Sequence, residues 1–107
     1  MKYMNNLKNK VQWEQYYDPS FNWNDIEFYQ DNKLSDDFIR EFQDKVDWNF
    51  ISKYQKLSEN FIREFQDKVD WYYIAMNQKL SKKFIREFQI NTKILFEYYR
   101  YREYSVN

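Results

Sequence analysis

The sequence predicts an all-α fold, a short solenoid-like array of helical hairpins. Three observations predict it: a 23-residue repeat, an apolar stripe at helical spacing in each copy, and a capping residue ahead of each stripe. KLSDDFIREFQDKVDW at 33–48 returns as KLSENFIREFQDKVDW at 56–71 and as KLSKKFIREFQ at 79–89. The first two copies agree at 14 of 16 positions, beyond the reach of chance. A unit this small cannot bury both of its apolar stripes alone, so successive units must stack.

Each unit reads as two short helices. In the first, Phe38, Ile39, Phe42 and Val46 line one face. Ser35 is its N-cap, and Asp36 and Asp37 occupy the first turn, where the helix dipole favours negative charge. The second helix starts after Asp47 and runs from Trp48 through Ile51 toward Gln55; Trp23 after Asn22 and Trp71 after Asp70 repeat this start. Leu34, Leu57 and Leu80 stand just ahead of the next serine cap, placed as hydrophobic staples. Connections of two or three residues force successive helices to fold back on one another.

The two ends depart from the pattern. Tyr3, Met4, Leu7, Lys10, Val11 and Trp13 fall where Phe61, Ile62, Phe65, Lys68, Val69 and Trp71 fall in the third unit. The chain therefore reads as one domain over 1–107. A degenerate unit at 1–32, with an insertion around Asp18-Pro19-Ser20, is followed by repeats at 33–55, 56–78 and 79–107. Ile90 and Lys93 replace Asp44 and Asp47 in the last unit, removing the second cap. A long C-terminal helix from 82 to about 104 is expected there, giving about seven or eight helices in all.

Composition narrows the chemistry. Ten Phe, eleven Tyr and four Trp exceed what one small core requires, so some rings should form an interaction surface. The absence of His removes the imidazole base and the commonest metal ligand. The absence of Gly removes phosphate-cradling loops and the nucleophile elbow. No catalytic residue, metal ligand or cofactor is expected. With no Cys and no apolar run of leader or membrane-span length, a cytoplasmic protein without membrane association is expected. Net charge is zero, but residues 11–50 carry ten acids against three bases, and 79–107 seven bases against three acids.

Residues identical between copies are best explained by packing. Phe38, Phe61, Phe84, Ile39, Ile62, Ile85, Phe42, Phe65 and Phe88 are expected in the core, with Trp48 and Trp71 filling grooves between units. Arg40, Arg63 and Arg86, each followed by Glu, suit an inter-repeat ion-pair ladder. Positions that differ are freer to serve a partner: Asn49, Phe50 and Lys53 become Tyr72, Tyr73 and Met76. Lys82 and Lys83 replace Asp36 and Asp37 at a helix N-terminus, where positive charge opposes the dipole. Tyr98, Tyr99, Arg100, Tyr101 and Arg102 interleave rings with guanidinium groups, a composition that suits a protein hot spot or single-stranded bases. The candidate partner-binding residues are thus Phe50, Tyr72, Tyr73, Met76, Lys82, Lys83, Tyr98, Tyr99, Arg100, Tyr101 and Arg102.

The unit DWxxIxxYQKLSxxFIREFQDKV resembles helical repeats of uncharacterised proteins from phages, giant viruses and AT-rich bacteria. The abundance of Lys, Asn, Tyr and Ile, 42 of 107 residues, agrees with such a source. The likeness covers about residues 33–89 well and 3–13 faintly. Small cysteine-free proteins of such elements often resemble inhibitors of host defence, including anti-CRISPR proteins. The resemblance implies a non-enzymatic module that occupies a host protein or protein complex; a single-stranded nucleic-acid binder and a self-associating structural array are the alternatives.

Overall fold

The computed structural model describes residues 10–88, with side chains from Trp13 onward. Among these the fold is all-helical and contains no strand. A 3-10 segment, Lys10–Tyr17, leads into six α-helices: α1 Ile26–Asp31, α2 Asp36–Glu41, α3 Trp48–Tyr54, α4 Glu59–Glu64, α5 Trp71–Asn77 and α6 Lys82–Glu87.

The caps fall where residue chemistry places them. Ser35, Ser58 and Ser81 each accept a bond from the N–H three residues on, at 3.1 Å, and so open α2, α4 and α6. Asp47 and Asp70 do the same for α3 and α5. The first unit differs from expectation. Asn22 and Trp23 do not open a helix; Asn22 caps a turn at Asn24, and Asp25 caps α1 from Ile26. Trp13, matched to Trp71 in sequence, lies inside the 3-10 segment and is buried against Phe38 and Phe42. The insertion folds as a turn, with Phe21 N–H donating to the Asp18 carbonyl and Pro19 at its second position.

Helix α6 also departs from expectation. It ends at Glu87 instead of continuing as a long helix, because Phe88 leaves helical geometry (φ −110°, ψ 57°) as a C-cap. The same turn occurs at Phe42 and Phe65. In each case the cap ring must reach the tryptophan ahead of it: Phe42 lies 5.2 Å from Trp23, Phe65 5.1 Å from Trp48 and Phe88 5.0 Å from Trp71. Ring packing therefore ends the helix before a missing aspartate cap downstream can matter. The remainder of the expected helix lies outside the described residues.

The helices form two rows. α3 packs on both α1 and α5, and α2, α4 and α6 form the second row. Between the rows Phe38, Phe61 and Phe84 are at most 1% exposed, and Ile39 and Ile62 are fully buried, so the expected core is present. Ile85 and Phe88, in the last described unit, are only half-buried. Trp48 and Trp71 fill the inter-unit grooves as expected, and their indole N–H groups donate to the carbonyls of Gln43 and Gln66.

Two ladders join the units. Arg40 grips Glu64 through two bonds of 2.8 Å, and Arg63 grips Glu87 in the same way. Tyr17, 23 residues before Arg40, donates its hydroxyl to Glu41 and so takes the arginine's place in the first unit. The second ladder is buried at Gln55 and half-buried at Gln78. Gln55 Nε2 donates to the carbonyls of Tyr29 and Asn32 while its Oε1 accepts from Leu34 N–H; Gln78 repeats this on Ser52, Gln55 and Leu57. Each glutamine thus satisfies two carbonyls at the end of the preceding unit's second helix and one N–H just beyond it, groups that would otherwise be costly to bury.

Candidate functional site

The repeat turns equivalent positions into a row on the molecular surface. On the outer side of the second helices, Glu27, Phe50 and Tyr73 form one line, and Gln30, Lys53 and Met76 another. Asp31, Tyr54 and Asn77 form a third. Along these lines the acids of α1 give way to Phe50, Tyr54 and Tyr73, and Gln30 gives way to Lys53 and then Met76, while Asn77 stays polar.

Four rings and one ammonium group define the α3–α5 face. Phe50 lies 6.1 Å from Tyr54 and 5.5 Å from the buried Tyr29, which anchors it to the core. Tyr72 and Tyr73 meet edge to face at 5.4 Å, and Tyr72 is 51% exposed. Lys53 Nζ lies 5.2 Å from the Tyr54 ring centre and 5.3 Å from that of Tyr73, bridging the two units. Such a contact at a partly exposed site is worth about 0.5–1 kcal/mol. Phe50, Lys53, Tyr54, Tyr73 and Met76 are half-buried, fixed in position yet within reach of another molecule.

The structure therefore gathers Phe50, Tyr72, Tyr73 and Met76 on one face and adds Lys53 and Tyr54. The periodicity offered a signal for Tyr54: it aligns with Asp31 and Asn77, so it too is a position at which the copies differ. Lys82 and Lys83 are exposed in the first turn of α6, in the other row of helices. Tyr98, Tyr99, Arg100, Tyr101 and Arg102 lie outside the described residues.

Electrostatics separates this face from the ladder row. Hydrogen bonding to Arg40 holds the Glu64 carboxyl below its ordinary range, and Arg63 does the same for Glu87. Burial pushes the Tyr29 hydroxyl up to about 12; it accepts from Asp47 N–H and donates to the Trp23 carbonyl. The hydrogen bond to Glu41 raises Tyr17 to about 12 as well. These groups hold the structure together, and none of them lies on the aromatic face.

At the α1 end an open recess of about 310 Å³ is lined by Phe21, Phe28, Asn32 and the acids Asp25, Glu27 and Asp31. Asp25 is occupied as the α1 cap. Asn32 stands where Gln55 and Gln78 stand, one methylene shorter, and its amide turns back to Phe28 of its own helix. No group of three or more metal-ligating side chains occurs among the described residues, and no helix there is long and apolar enough to cross a membrane. No protein-family model, curated protein or solved structure matches the chain.

Proposed function

We propose that the chain is a non-enzymatic protein-binding module that inhibits or modulates a host protein, of the kind a phage or mobile element must disarm, by occupying its surface. It would act in the host cytoplasm. The observation that carries this reading is the face on which Lys53 joins the Phe50–Tyr54 ring pair to the Tyr72–Tyr73 pair, with Met76 one repeat on from Lys53. Tyrosine and other large rings dominate binding hot spots because they supply contact area at little entropic cost. The scaffold does not require them there, since α1 carries Glu27 and Asp31 at the equivalent positions.

The test is a host-lysate capture with wild-type chain and with the Tyr72→Ser/Tyr73→Ser double variant. A specific host protein should be retained by the first and lost by the second, with circular dichroism unchanged. Equal capture by both would remove the face from consideration.

Lys82 and Lys83, exposed at the start of α6, favour a second reading as a single-stranded nucleic-acid binder. That reading requires affinity that falls steeply with salt and drops in a Lys82→Glu/Lys83→Glu variant.

A further inference from the structure

The chemistry of the α3–α5 face also restricts what can sit on it. Its outward positions, Asn49, Phe50, Lys53, Tyr54, Tyr72, Tyr73, Met76 and Asn77, include one cation and no carboxylate. Among the described residues the other cations held over rings, Arg40 and Arg63, are also paired with Glu64 and Glu87; Lys53 is held by rings with no described carboxylate beside it. An ammonium group has three donors, and ring faces attract it without accepting them as an oxygen does. Lys53 is thus a positioned positive charge, partly screened from water by two tyrosines and able to accept an anionic partner.

We infer that this face recognises a protein segment that places an aspartate or glutamate on Lys53, between apolar side chains that rest on Phe50, Tyr73 and Met76. The inference rests on the reading of the face as a protein-binding surface and names the partner's chemistry. A carboxylate fits better than a phosphate backbone, because a nucleic-acid track needs several cations in line and this face has one. A charge in an apolar rim strengthens as water leaves the interface, so the carboxylate supplies specificity while the rings supply area.

A displayed library of random dodecapeptides, selected on the full-length chain, tests this directly. Enriched peptides should carry an acid flanked by apolar residues. They should bind the Lys53→Met and Lys53→Gln variants about ten-fold more weakly and the Tyr72→Ser/Tyr73→Ser variant not at all. Circular dichroism of each variant checks that the helices remain. Peptides that need Tyr72 and Tyr73 but show no acid preference and ignore Lys53 would overturn the inference and leave the face standing. Peptides indifferent to all three residues, or no enrichment at all, would overturn it together with the surface assignment. Sedimentation equilibrium supplies the last outcome: a concentration-dependent dimer abolished by Lys53→Met would give the face to a second copy and overturn the inference.

Discussion

The two rows of helices share one repeat and use it differently. In the row α2, α4 and α6, each unit restates a buried phenylalanine and a serine cap, and the arginines of α2 and α4 each reach the next unit's glutamate. In the row α1, α3 and α5 the inward residues also recur, with Phe28, Ile51 and Ile74 all buried. The outward residues do not: Glu27 gives way to Phe50 and Tyr73, and Gln30 to Lys53 and Met76. Recurrence marks positions that geometry dictates, and divergence marks those that the packing leaves free to vary.

The strongest challenge to that contrast is truncation of a recurrent core residue. Phe61→Ala should cost about 3–5 kcal/mol, read as a lower urea midpoint, because the ring is 1% exposed between Trp48 and Phe65. A loss near zero would show that the phenylalanines do not carry the stack.

Next comes the glutamine ladder. Gln55→Ala leaves the carbonyls of Tyr29 and Asn32 and the Leu34 N–H without partners in a buried position. A cost of about 2–4 kcal/mol is expected. Gln78→Ala should cost less, since Gln78 is only half-buried. Equal costs would mean that burial does not set the value of the clamp.

Alkaline titration reports Tyr17 and Tyr29 together, and the Tyr29→Phe variant separates the second from the first. The Tyr29 hydroxyl is raised to about 12 in the folded chain, so the unfolded chain releases this proton first. Folding stability should therefore fall as pH rises from about 10 toward 12, and this part of the loss should vanish in Tyr29→Phe. The substitution also removes the hydroxyl's bonds to Asp47 and Trp23, so the slope with pH, not the absolute stability, is the measurement.

Acid titration probes the exposed ladder, where a smaller effect is expected. Glu64 and Glu87 have lowered pKa values, so their contribution is present above the ordinary carboxylate range and is lost as pH falls through it and below. A double-mutant cycle on Arg40 and Glu64 should return less than about 1 kcal/mol, because both side chains are substantially exposed. Added salt should weaken it further.

The smallest effect belongs to the variable face. Tyr72→Ser should change stability by no more than about 0.5 kcal/mol in urea unfolding, since the ring is half exposed. A large loss would reassign Tyr72 to the scaffold and erase the distinction between the rows.

The sequence alone determined the helical class, the period, the serine and aspartate caps of α2 to α6 and the buried phenylalanines, because caps and stripes are local properties fixed by residue type and spacing. Tertiary structure decided the rest. Helix α6 ends at Glu87, and the Phe88 cap places its ring on Trp71, a contact between units that no local cap rule contains. Trp23 joins Phe42 without opening a helix, and α1 starts only after the Asp25 cap two residues later. Gln55 and Gln78 recur visibly in the sequence, yet their role appears only when the preceding unit presents its backbone 21 to 26 residues away. Lys53 drew attention only as a position that changes to Met76; two rings from adjacent units turned it into a fixed charge. Spacing along the chain specifies each helix, whereas the space between helices fixes what their side chains meet.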